Sequence, residues 1–126
     1  MTDRPKLIPG PDHPITIEPA GARVRVIVGG RTVVDTDRAL ALREASYPPV
    51  FYVPREDADM SLLSRTDHAT YCPYKGEASY YSIPAGGDRS ANAAWSYEAP
   101  YEAVASIRDH LAFYPDRVDA IETATG

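Results

Sequence analysis

Twelve prolines in a chain of 126 residues set the first limit on its fold. Proline fixes φ and has no amide hydrogen, so it stops helices and is kept out of central strands. Regular elements here must therefore be short. Nine tyrosines add a second bias. A tyrosine ring suits a half-buried sheet surface or a pocket wall, where the ring packs while the hydroxyl finds a partner. Together the two counts predict a compact, β-rich chain.

The order of segments agrees. Met1 to Pro14 holds four prolines, which predicts an extended arm over residues 1–13 and a single β-rich domain over 14–126. In "RVRVIVGGRTVVDT", Val24, Val26 and Val28 fall on one face of a strand, with Arg23, Arg25 and Ile27 on the other. Gly29-Gly30, between two β-branched runs, predicts a two-residue hairpin, since both positions accept positive φ. "ALALREASYPPVFYVP" opens with helix formers, yet Leu40, Leu42 and Glu44 share a strand face and Pro48-Pro49 stops any helix. Strand, turn, strand is the expectation. "REDADMSLLSR" predicts one or two helical turns packing Met60 and Leu63 inward. "ATYC" and "ASYYSI" read as strands around a Pro73–Gly76 turn, "PAGGDRSANA" as a polar loop and "AAWSY" as another strand. Pro100 at a first helical position, with Tyr101, Val104 and Ile107 at helical spacing, predicts a short amphipathic helix. "HLAFYPDRVDAIE" closes as two short strands across Pro115-Asp116. The total is six to nine short strands and two helical turns.

Composition removes several classes of function. With 44% hydrophobic and 25% charged residues, the chain matches a globular protein. A net charge of −5 and scattered acids argue against a nucleic-acid surface, which needs clustered Lys and Arg. No apolar run approaches a bilayer span, so no membrane partner is expected. The start lacks a basic-then-apolar signal peptide. One cysteine cannot form an internal disulfide, which points to a reducing, cytoplasmic setting.

Three stretches, "REASYPPVFYVPREDADMSLL", "TYCPYKGEASYYSI" and "NAAWSYEAPYEAVASIRDHLAFYPDRVD", together resemble a bacterial family, the domain of unknown function 427, also catalogued as a nucleotidyltransferase family. The likeness runs from about His13 to Ile121, and its Cys-Pro-x-Lys-Gly and Ala-Trp-x-Tyr elements are specific. It implies a β-tent: two antiparallel sheets packed at an angle, with one or two short helices. Proteins of that fold usually hold a zinc with paired Cys-x-x-Cys motifs. This chain has a single cysteine, so no structural zinc and no cofactor are expected.

Candidate chemistry follows from residue types and spacing. Lys75 near Cys72 would favour a thiolate, but a nucleophile also needs an oriented base. His68, four residues upstream in a strand, lies about 13 Å away. The simpler reading makes Cys72 a small buried hydrophobe entering a turn and Lys75 a solvated turn lysine. One cysteine with His13, His68 and His110 does not make a zinc set. Asp35 and Asp37, or Asp57 and Asp59, have the spacing of a magnesium-holding pair for nucleotidyl or phosphoryl transfer. Neither follows a Gly-Ser phosphate loop, and "PYKGEASYY" is no P-loop. The aromatic set says more. Tyr47, Tyr52, Tyr80, Trp95 and Tyr97 lie in the stretches that carry the resemblance, and converging rings would wall a cleft suited to a flat or cationic ligand. Glu44 would be its partly buried anchor, and Lys75 a contact for an anionic group. The expectation is a small-molecule or peptide-end binding site built from Glu44, Tyr52, Lys75, Tyr80, Trp95 and Tyr97. Magnesium-dependent transfer and a protein-interaction module using exposed edge strands are the alternatives.

Overall fold

A computed structural model describes residues 4–124, so the first three residues of the expected arm and the last two of the chain lie outside it. Ten strands are present among the described residues: β1 (Ile15–Pro19), β2 (Arg23–Val28), β3 (Arg31–Thr36), β4 (Leu40–Glu44), β5 (Val50–Pro54), β6 (Ser64–Cys72), β7 (Gly76–Ser82), β8 (Ala94–Tyr97), β9 (His110–Phe113) and β10 (Ala120–Ala124). They form two antiparallel sheets. Seven strands make one, in the order β1-β4-β5-β9-β8-β7-β6, and β10-β2-β3 make the other. The mainly β, two-sheet expectation stands, with more strands than the sequence announced.

The β2–β3 hairpin turns on Gly29 and Gly30, with φ of 57° and 74°, values that L side chains adopt only with strain. Val24, Val26 and Val28 are buried in alternation. β3 breaks the pattern because Val26 pairs with Val34 while Ile27 pairs with Thr32. Val33 is the extra residue of this bulge, so Val33 and Val34 are buried side by side.

The large sheet is apolar on both faces. On one, Val53, Tyr81, Ile83, Ala94, Leu111 and Phe113 pack against the valines of the small sheet. On the other, Leu42, Tyr52, Ala78, Tyr80, Tyr97 and Ala112 form a second core closed by Val104 and Ile107. Burial of these side chains stabilises each layer by roughly 25 cal/mol per Å² of apolar surface. Met60 and Leu63, on and beside a 3-10 turn at Met60–Leu62, pack on the first core as expected.

Two local expectations change. Residues Pro84–Ser90, expected as a loop, coil into two 3-10 turns across a kink at Gly87. The expected helix after Pro100 is also 3-10, Glu102–Ile107, broken at Val104 with φ −126°. Its ends are tied by Tyr101 N–H to the Lys75 carbonyl and Asp109 N–H to the Tyr97 carbonyl. So short a span between two anchors cannot propagate an α-helix. The apolar side was nonetheless identified correctly, since Val104 and Ile107 are fully buried. No helix among the described residues is long and apolar enough to cross a membrane.

Candidate functional site

The seven-stranded sheet has a weak seam. β5 and β9 share only two rungs, Val53 with Leu111 and Pro54 with His110. Beyond them, Val50–Tyr52 pair only with β4 and Ala112–Phe113 only with β8. A cavity of about 830 Å³ opens along this seam, reaching from Val24 and Val26 of β2 and Ile121 of β10 to the aromatic face of the large sheet. That volume lies within the usual range for small-molecule sites.

All six expected residues line it: Glu44, Tyr52, Lys75, Tyr80, Trp95 and Tyr97. Strand alternation explains the convergence. Tyr52 on β5, Tyr80 on β7, and Trp95 and Tyr97 on β8 occupy the same face of the sheet, in the second core. Tyr80 and Trp95 are cross-strand partners. The Trp95 indole N–H donates to the Tyr52 hydroxyl at 3.2 Å, and the two rings meet edge to face with centroids 6.3 Å apart. The Tyr80 hydroxyl bonds with those of Thr70 at 2.9 Å and Tyr114 at 3.2 Å. Tyr97 is 6% exposed, and its hydroxyl has no hydrogen-bond partner among the described residues. Burial pushes the Tyr52 and Tyr97 phenols far above the usual 10, so both stay neutral and keep their protons.

Polar groups gather at one end. Lys75 Nζ donates to Glu44 Oε1 at 2.5 Å, and His13 lies with Nε2 2.7 Å from Glu44 Oε2. Because an ionised carboxylate only accepts, His13 Nε2 is the donor. Burial acts to raise the Glu44 carboxyl, but the hydrogen bonds from Lys75 and His13 outweigh it and hold the group below its usual range. Glu44 ends β4, and Ala45 then takes a left-handed φ of 49° that turns the chain toward Tyr47. The His13 ring stacks on Tyr74, with centroids 4.1 Å apart and planes 4° from parallel.

Lys75 corrects the sequence reading. It is 8% exposed, not solvated, because the Pro73–Gly76 turn folds inward: Lys75 N–H bonds the Cys72 carbonyl and its own carbonyl accepts from Tyr101. The turn itself is as expected, with Cys72 paired to Gly76. Cys72 packs half-buried against the second core, while His68 sits edge-on to the Tyr80 ring at 4.5 Å. Tyr47 lines the cavity mouth at 67% exposure.

Two contributors escaped the sequence reading. His13 stood in a proline-rich arm with no pattern to single it out. Tyr114, whose ring centre is 4.5 Å from that of Trp95, follows β9 on the parity of Ala112. That parity was the available signal.

The acidic pairs do other work. Asp57 accepts from the Thr36 hydroxyl at 2.6 Å and from both Arg38 nitrogens that face it, and the Arg38 and Thr36 hydrogen bonds hold its carboxyl low. Asp59 caps the 3-10 turn by accepting from Ser61 N–H. Asp35 pairs with Arg23 at 2.6 Å. Among the described residues, no group of three or more His, Cys, Asp or Glu is arranged to hold a metal ion.

Residues 16–124 match the model of a family described as Domain of unknown function (DUF427), whose label also carries a nucleotidyltransferase name. No curated protein matches the chain.

Proposed function

The chain belongs to the domain of unknown function 427 family, and from that premise we propose that it acts as a binding domain, taking a small ring-bearing molecule or a peptide end into the aromatic cavity along the β5–β9 seam of its large sheet. The observation that carries this reading is the convergence of Tyr52, Tyr80, Trp95 and Tyr97, beside a partly buried Glu44–Lys75 pair, on one space of about 830 Å³. Pockets that bind small molecules combine apolar, aromatic walls with a few placed polar groups. Here the rings are held by neighbours other than a ligand, so the space is largely pre-formed and little ordering is left for binding to do. The nucleotidyl-transfer alternative draws no support from the acidic pairs, since Asp57 is held by Arg38 and Thr36 and Asp59 by a turn.

Trp95 is the only tryptophan and lines the cavity, so its emission is a direct reporter. A library of small aromatic compounds screened by Trp95 fluorescence and thermal shift is expected to give ligands that change both signals together. A ligand at a hundred times its Kd would stabilise the fold by about 2.7 kcal/mol. If no compound at millimolar concentration moves either signal, the reading is wrong.

A further inference from the structure

Resting on the cavity reading above, we propose that the ligand presents a carboxylate to the Lys75 end of the cavity and lays a planar ring among Tyr52, Trp95 and Tyr97. The argument is a count of unspent hydrogen-bond donors and acceptors. Among the described residues Glu44 is the only carboxylate in the cavity wall, and both its oxygens are taken, one by Lys75 and the other by His13. The Lys75 ammonium has three protons and spends one on Glu44. The Tyr52 hydroxyl already accepts from Trp95, which leaves its own proton to give. Tyr97 lines the same space, and its hydroxyl has no hydrogen-bond partner among the described residues. Its proton, like that of Tyr52, is therefore available to an acceptor entering the cavity.

These groups lie close together. The Tyr52 and Tyr97 ring centres are 6.5 Å apart, and the Glu44 charge is near enough to help raise both phenols. The wall therefore offers donors in surplus beside a Lys75–Glu44 ion pair whose carboxylate oxygens are both already engaged. A cationic head would find aromatic faces, but to reach a counter-charge it would have to displace Lys75 from Glu44. A carboxylate takes up the spare Lys75 and phenol protons without breaking any bond the cavity now makes, sharing the ammonium with Glu44 and meeting its like charge. Charge-assisted hydrogen bonds of this kind are about twice as strong as neutral ones.

The test uses three probes with one ring system: 2-naphthoate, 2-naphthamide and 2-naphthylmethylammonium. Binding is followed by the NMR signal of the Trp95 indole N–H in the full chain. Naphthoate is expected to bind at least tenfold more tightly than the ammonium, with the amide between them. Tyr97→Phe keeps the ring and should weaken naphthoate three- to tenfold, leave the ammonium unchanged and cause no fall in Tm. N-acetylphenylalanine against its amide separates the two sources of a carboxylate: preference for this acid over naphthoate assigns the site to a peptide C-terminus, and the reverse to a flat acid. Equal or tighter binding of the ammonium overturns the carboxylate assignment while the cavity reading survives. Silence of the Trp95 signal with every probe overturns both.

Discussion

Tyr52 and Tyr97 are both buried tyrosines of one cavity, yet removing each hydroxyl has opposite consequences. In Tyr52→Phe the Trp95 indole N–H loses its acceptor. An orphaned buried donor costs about 1–2 kcal/mol, so the urea midpoint is expected to fall. In Tyr97→Phe an unpartnered hydroxyl is replaced by hydrogen, and the midpoint should hold or rise. Equal losses in the two variants would mean that the Tyr97 hydroxyl has a partner after all. The same residues show how far single positions are readable. Period-2 alternation put Glu44 on the face of Leu40 and Leu42 without any knowledge of strand order, whereas Tyr52 and Trp95 stood out only because they lie in the stretches that carry the family resemblance. The burial of Lys75 was not readable, because it depends on Glu44 arriving from a strand thirty-one positions away. His13 was hidden for the same reason: its role exists only through Glu44 and Tyr74.

At the scale of elements, the β2–β3 hairpin and its neighbour make the sharpest prediction. Gly29 and Gly30 both have positive φ, but their surroundings differ. A Cβ on Gly29 would overlap the backbone carbonyl of Ala85, whereas one on Gly30 would meet open space. Gly30→Ala therefore adds only the left-handed penalty, about 1 kcal/mol. Gly29→Ala adds a backbone clash and loosens the contact with the 84–90 turns, at about 3 kcal/mol or more. Chemical denaturation of the two variants should separate them by about 2 kcal/mol, and similar values would show that the hairpin does not seat on those turns. The hairpin was legible because its signals are local: two glycines between alternating valines. The segment after Pro100 was misread because helical spacing cannot report that both its ends are anchored elsewhere. Likewise the bulge at Val33 follows from pairing, which no single strand's sequence encodes.

For the whole molecule, short strands were foreseeable from proline and tyrosine usage and two sheets from the family resemblance, but the strand order was not. β1 pairs with β4, and β10 crosses to β2 across most of the chain; such pairings are set by packing between distant segments. The layered core has a consequence at both ends of the pH scale. Glu44 and Glu98 have carboxyls lowered from the usual 4.5. For Glu44 burial opposes the shift, and the bonds from Lys75 and His13 prevail; for Glu98 the Arg65 hydrogen bond leads. A folded-state value below the unfolded one gives stability that is complete above the unfolded value and disappears as pH falls through the folded one. Tyr52 and Tyr97 are shifted the other way by burial, and Tyr114 is pushed up to about 12, by burial and by Tyr80. Their contribution is complete below the usual 10 and lost as pH climbs beyond it. Urea midpoints should therefore form a plateau from about pH 5 to about pH 9, with an acid limb that is shallower in Glu44→Gln. On the alkaline side, phenolate absorbance should rise in two stages. Phenolate from Tyr52 and Tyr97 is expected only in the second stage, together with loss of the fold. A single smooth titration of all nine tyrosines near 10, with the fold intact, would mean the rings do not line a closed aromatic space.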